Sequence, residues 1–114
     1  MIKRHIPTRI NHRVVEAGGI LHFGGLIADD LTLDMKGQTA QICGKIDKLL
    51  AEVGSSKEQL VTAMLYITDF GQKEGMNEAW LEWLPAEHLP TRATIGVAEL
   101  GKNVLIEVVV SAAR

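Results

Sequence analysis

Apolar residues recur along the chain with two different periods, and these periods predict an ordered set of strands and helices. Alternating or continuous apolar runs predict strands at residues 1–6, 12–17, 20–23 and 60–68, and two more within 89–110, on either side of a turn at 101–103. Apolar positions three and four residues apart predict helices over about 34–53 and 72–84. The predicted order, β-β-β-α-β-α-β-β, is that of an α+β fold in one domain spanning residues 1–114.

Glycines and capping residues mark where these elements begin and end. Gly18-Gly19 predicts a two-residue hairpin between the second and third strands. Asp34 is placed to cap the first helix, and Gly54 is placed to end it in the left-handed conformation. The turn at 101–103 predicts that the last two strands form a second hairpin.

Two of the strands are apolar on both faces, which predicts self-association. In the run 104–110, apolar residues occupy both faces of the strand. The strand at 60–68 is nearly the same, with one face formed by Val61, Ala63, Leu65 and Ile67 and the other by Met64 and Tyr66. Two helices cover one face of one sheet, so a second copy of the chain is the simplest cover for the open face. We therefore expect a homo-oligomer.

Composition and charge argue against several classes of partner. The chain has 114 residues, of which 46% are hydrophobic, and a formal net charge of −2, so nothing favours electrostatic binding to nucleic acid or to an anionic membrane. No apolar run approaches the length that spans a bilayer. The single cysteine, Cys43, cannot form an intrachain disulfide, which indicates a reducing cytoplasm.

The first 13 residues form the most basic stretch, with Lys3, Arg4, Arg9 and Arg13 and no acidic residue. The stretch lacks the serines and the apolar helical face of a transit peptide, and it lacks the apolar core of a secretory signal. We interpret it as a first strand with solvated charges. A nucleic-acid-binding arm is the alternative, which the lack of interleaved aromatic residues disfavours.

Motifs for metals, phosphates and covalent nucleophiles are weak. The four histidines show no paired ligand spacing, so no metal site is predicted. Gly24-Gly25 lacks the pattern of a phosphate-binding loop and instead predicts a bend where the backbone closely approaches another group. Cys43 lies within a helical pattern and has no assigned base.

Arg92 and Glu107 are better candidates, because each lies in an otherwise apolar strand and an unpaired buried charge costs several kcal/mol. The predicted hairpin places Glu107 opposite residues 95–97 and Arg92 near Ser111, which argues against a simple pair between them. Two interpretations stay open from the residues alone. The charges either reach solvent or pair structurally, or they serve a function.

Several short segments together resemble a known family. They are Asp34-Met35-Lys36-Gly37-Gln38-Thr39, Asp69, Met76-Asn77-Glu78, Pro90-Thr91-Arg92-Ala93-Thr94 and Val104-Leu105-Ile106-Glu107. Each is weak alone, but their order and spacing over nearly the whole chain resemble the Rid proteins, the reactive intermediate deaminases, also called the YjgF family. The resemblance implies a chorismate-mutase-like fold and a homotrimer with clefts between neighbouring subunits.

The resemblance also implies an activity. Arg92 would bind the carboxylate of a small 2-imino acid, which suits a planar guanidinium. Glu107 would help to position water, and Asn77 would support the site or only the fold. The implied reaction is cofactor-independent hydrolysis of an enamine or imine to a 2-oxo acid and ammonia. The alternative is a non-catalytic binder or sensor of small 2-oxo or imino carboxylates.

The chain departs from the family pattern at two places. Most deaminating members carry Ser-Gly-Gln where this chain has Gly24-Gly25-Leu26, and a family tyrosine falls at Asn11. Asn11, His12 or a backbone amide near Gly24 could replace the lost groups, so we include Asn11 and Gly24 among the predicted substrate-binding residues. The missing serine side chain enlarges the pocket, which suits an imino acid bulkier than 2-aminoacrylate.

Overall fold

The computed structural model describes all 114 residues, and its elements follow the predicted order. The strands are β1 Lys3–Pro7, β2 His12–Ala17, β3 Ile20–Phe23, β4 Leu60–Ile67, β5 Thr91–Gly96 and β6 Ile106–Ala113. The two α-helices are α1 Met35–Glu52 and α2 Lys73–Trp83. The predicted α+β arrangement is confirmed.

All six strands form one sheet, in the order β1-β2-β3-β6-β4-β5. β4 and β5 are parallel because α2 carries the chain back across the sheet between them, and all other neighbouring pairs are antiparallel. The hairpin at Gly18-Gly19 is confirmed, and both glycines have the positive φ that such a turn requires.

The predicted hairpin between the last two strands is wrong. β5 and β6 pair with opposite edges of β4, so they are not neighbours, and Glu107 lies next to Tyr66 rather than next to residues 95–97. The turn signal itself is real, since Gly101 and Asn103 have φ of 115° and 64°. The connection over 97–105 is too long for a tight hairpin. Because β6 is apolar on both faces, it takes a central position in the sheet, with β3 on one side and β4 on the other.

Both helices pack on the same face of the sheet, where the main hydrophobic core lies. The predicted cap of α1 is confirmed, because the Asp34 carboxylate accepts a hydrogen bond from the Gly37 N–H at 2.8 Å. The predicted end is also confirmed, because Gly54 has a φ of 80°. In α2, Met76 and Trp80 are fully or almost fully buried, and so is Leu84, which directly follows the helix.

One residue of the predicted core face of β4 points outward. An irregularity in the pairing of β4 with β6 falls between Leu60 and Thr62, and Val61 is 42% exposed. Leu60 therefore faces the core in its place, which is the usual effect of a β-bulge on alternation. The first strand also differs slightly, since it includes Pro7, which an edge strand tolerates.

The opposite face of the sheet carries a row of half-buried apolar side chains with no helix over them. Met64 is in register with Val109, and Tyr66 is in register with Ile95. This arrangement is the basis on which we predicted a homo-oligomer, and that assembly stays a prediction. Neither helix has the length and apolarity needed to cross a lipid bilayer.

Candidate functional site

The predicted site residues fall into two separate surface grooves of one chain. The Arg92 groove has a volume of about 360 Å³ and is lined by Glu74, Asn77, Trp80, Leu81, Leu89 and Arg92. The Gly24 groove has a volume of about 320 Å³ and is lined by Thr8, Arg9, Ile10, Asn11, Arg13, Gly24, Gly25 and Leu26. Each groove holds part of the predicted site.

Arg92 is a positioned cation without a counter-ion. It lies on the edge strand β5, and its Nη2 donates a hydrogen bond to Asn77 Oδ1 on α2 at 2.6 Å. It forms no ion pair with any carboxylate of the chain. Partial burial lowers the pKa of Arg92, but an arginine stays protonated at neutral pH. The remaining N–H groups are therefore available to an anion, and Asn77 holds the guanidinium in place.

The wall of the Arg92 groove was not predicted from the sequence. Leu81 is 61% exposed and Leu89 is 42% exposed, although both are large apolar residues. Leu81 lies on α2 outside the buried face formed by Met76 and Trp80. A leucine on the polar side of an amphipathic helix was therefore the sequence signal from which this wall could have been predicted. These side chains give the groove an apolar side next to a fixed positive charge.

Asn11 is held in the Gly24 groove by a compact turn built on Thr8. Thr8 Oγ1 accepts hydrogen bonds from the backbone N–H groups of Ile10 at 3.3 Å and Asn11 at 3.0 Å. The same hydroxyl donates to Asn11 Oδ1 at 2.6 Å, so the Nδ2 group of Asn11 remains available. Asn11 Nδ2 lies 3.5 Å from the place where a Cβ of Gly24 would be.

Glu107 lies beside Gly25, which is one of the residues that line the same groove. The backbones of Leu26 and Val108 exchange hydrogen bonds of 2.9 and 3.0 Å, which brings the Gly24-Gly25 segment alongside β6. A Cβ at Gly25 would lie 2.9 Å from Glu107 Cδ and would overlap its Oε2. The predicted close approach of the backbone at this bend is confirmed, and the group approached is the Glu107 carboxylate.

The Gly25 contact leads to a stability prediction. Gly25→Ala should lower the free energy of unfolding by about 1 kcal/mol, because the new methyl group displaces the Glu107 side chain. Gly24→Ala is the matched control, since its nearest neighbour is at an ordinary 3.5 Å. The measurement is denaturant unfolding, repeated in a Glu107→Ala background where the Gly25→Ala penalty should disappear. An equal cost in both backgrounds would contradict the assigned contact.

Within one chain, the two grooves do not converge. Ala63 is in register with both Arg92 and Val110, and Tyr66 is in register with Glu107. Ala63 faces the helices, whereas Tyr66 and Glu107 belong to the open face. Arg92 and Glu107 are thus about 10 Å apart across two strand spacings and about 10 Å apart along the strands. Within one chain, the predicted carboxylate anchor, Arg92, is therefore too far from the predicted water-positioning group, Glu107, for both to contact one small substrate.

Other reactive groups do not form a second centre. No three side chains among the histidines, cysteine and acidic residues are grouped so that they could hold a metal ion. Burial raises the pKa of the Cys43 thiol to about 12. Cys43 is therefore a protonated core residue rather than a nucleophile.

A six-stranded sheet of this order with two helices on one face defines a chorismate-mutase-like α+β protein, and the comparisons agree. The family model described as Endoribonuclease L-PSP matches residues 4–114. A RutC family protein of Haemophilus ducreyi is 33% identical over 113 residues, which cover 99% of this chain and 97% of that one. The chain belongs to this family, which is the YjgF or Rid family.

Two solved structures show the same fold over the whole chain. A protein of Pseudomonas aeruginosa is 31% identical, with a TM-score of 0.94 over 100% of this chain and 99% of that one. A YjgF family member from Neisseria meningitidis is 27% identical, with a TM-score of 0.94 over 100% of this chain and 95% of that one. The resemblance drawn from the sequence is therefore confirmed for family and fold.

Proposed function

We propose that this protein hydrolyses reactive 2-imino or enamine acids to 2-oxo acids and ammonia. The observation that carries the proposal is the Arg92 guanidinium, which Asn77 fixes and no carboxylate neutralises. A planar guanidinium with free N–H groups binds a carboxylate through two parallel charge-assisted hydrogen bonds. The apolar wall of Leu81 and Leu89 would lie beside the anchored acid.

The site we propose is a cleft between two subunits of a homotrimer. One subunit supplies Arg92 and Asn77, and its neighbour supplies Asn11, Gly24 and Glu107. The separation of the two grooves on one chain supports this division, because a small imino acid cannot reach both grooves of the same subunit. The uncovered apolar face of the sheet offers the surface on which the subunits would meet.

The proposed reaction needs little more than positioning and a proton acceptor. Arg92 holds the substrate carboxylate, and Glu107 orients a water molecule and takes a proton from it. The water oxygen adds to C2 of the imine to give a tetrahedral carbinolamine. The nitrogen takes up this proton and then the proton of the carbinolamine hydroxyl, so that the C=O bond forms, the C–N bond breaks, and ammonia leaves. One imino acid and one water thus give one 2-oxo acid and one ammonia, with orientation and electrostatics supplying the rate enhancement.

The direct test generates 2-imino acids with an amino-acid oxidase and traps them with semicarbazide. The protein should lower the accumulation of the semicarbazone in proportion to its concentration. Trapping that is unchanged at every protein concentration would reject the deaminase. Calorimetry with 2-oxo acids runs alongside, because saturable binding without any effect on trapping would identify a non-catalytic binder or sensor of small carboxylates.

The description of the family model names an endoribonuclease, so the wild type and the Arg92→Ala variant should also be tested for RNA cleavage. The chain has a net charge of −2 and 4% aromatic residues, which gives little basis for stacking or backbone recognition of RNA. RNA cleavage that persists through purification and is lost in the Arg92→Ala variant would replace the proposal.

A further inference from the structure

The polar side chains that line the Gly24 groove are mainly hydrogen-bond donors. Arg9 and Arg13 both line it, and Asn11 brings an amide whose oxygen is already engaged by Thr8. The Gly25 N–H, also at this groove, donates to no acceptor of the chain. A lining of this kind recognises a group that only accepts, such as a carboxylate.

Neither arginine is neutralised within the chain. Lys36, Lys45 and Arg114 all form ion pairs, but Arg9 and Arg13 form none. Asp29 lies near Arg13, but Lys45 binds it at 2.9 Å, and that hydrogen bond is the main cause that lowers the pKa of Asp29. Glu107 adjoins the groove at Gly25 and supplies one negative charge against two positive ones. The groove therefore has one cation in excess.

Hydrogen bonds fix the backbone at both arginines. The turn closed by Thr8 contains Arg9, and the Thr8 N–H donates to Asn11 O at 2.7 Å. The carbonyl of Arg13 accepts the Gly24 N–H at 3.0 Å, which fixes the start of β2 against the glycine segment. The backbone at both positions is thus ordered before binding, and only the two arginine side chains lose freedom when an anion binds.

We infer that Arg9 and Arg13 bind a second carboxylate, so that the preferred substrates are 2-imino dicarboxylic acids. The inference rests on the proposed function, which places Asn11 and Gly24 against the same substrate as Arg92 of the neighbouring subunit. Arg92 then holds the carboxylate next to C2, and the two arginines hold the acid at the far end. Among imines of the common amino acids, only those from aspartate and glutamate carry an anionic side chain. The larger pocket expected from the missing serine leaves room for this longer chain.

The test compares 2-iminoglutarate with its uncharged isostere, 2-iminoglutaramate, each made from the parent amino acid by an oxidase. The wild-type kcat/KM should be about tenfold higher for the diacid, since a hydrogen bond to a charged group contributes more than a neutral one. Arg13→Gln and Arg9→Gln should each reduce this ratio of diacid to amide, and the double variant should abolish it. The ratio cancels any general loss of folded protein.

Lys102→Gln is the matched control, because it removes one positive charge from an exposed turn outside both grooves. It should keep the ratio of the wild type. Equal turnover of diacid and amide, unchanged in the arginine variants, would overturn the inference and leave the deaminase intact. Binding of 2-oxoglutarate in preference to 2-oxoglutaramate, lost in Arg13→Gln but without any turnover, would support the groove and reject the deaminase. No preference in either assay would overturn the inference.

Discussion

Arg92→Ala is expected to lower kcat/KM for imine hydrolysis by about 100-fold, because truncating one partner of a charged hydrogen-bonded pair typically costs 2–5 kcal/mol. The kcat/KM of Arg92→Lys should lie between those of the wild type and Arg92→Ala. An ammonium keeps the positive charge but loses the planar fork that matches a carboxylate. The measurement is semicarbazide competition at several imine concentrations, which separates a change in KM from a change in kcat.

The fold should survive the Arg92 substitutions, which makes the result interpretable. The side chain is exposed and makes one hydrogen bond, to Asn77, so the free energy of unfolding should change by less than about 1 kcal/mol. Lys73→Ala is a suitable control, because Lys73 is a nearby cation of α2 that lies 5.7 Å from the Phe70 ring centroid and outside the Arg92 groove. Full activity in Arg92→Ala would remove Arg92 from the site.

The elements of the fold could be predicted because they depend on local patterns. Period and capping residues located both helices within about two residues, and Asp34 and Gly54 ended α1 as predicted. Strand partners depend instead on which sheet edges are free, and no local signal reports that. The turn at 101–103 exists, yet β6 joins β3 and β4 rather than β5. The bulge that turns Val61 outward is equally invisible, because it depends on the register of a distant strand.

The candidate site could be predicted only where a charge contradicted its surroundings. Arg92 and Glu107 stood out because each interrupts an apolar strand. Arg9 and Arg13 did not, because in a basic segment the sequence cannot distinguish a solvated charge from one that lines a groove. The structure distinguishes them through the Thr8 turn and the Gly24 hydrogen bond, which together place Arg9 and Arg13 beside Gly24-Gly25.

Mixing two impaired variants is expected to restore activity if the cleft is shared between subunits. Arg92→Ala lacks the carboxylate anchor, and Glu107→Ala lacks the group that orients water, but each variant keeps the groove that the other has lost. When equal amounts are unfolded together and refolded, random assortment gives each cleft an intact Arg92 half and an intact Glu107 half with a probability of about one quarter. The expected rate of imine hydrolysis, measured by semicarbazide trapping, is therefore about one quarter that of the wild type. Light scattering should show that the refolded particles are trimers.

A second mixture distinguishes a shared cleft from a site within one chain. The Arg92→Ala, Glu107→Ala double variant, refolded with an equal amount of wild type, should also give about one quarter of wild-type activity for a shared cleft. A site contained in one subunit would instead give about one half in this mixture and no recovery in the first. Because the register separates Arg92 from Glu107 across β4, we expect the shared result. Stable monomers at micromolar concentration that retain full activity would contradict both the trimer and the shared cleft.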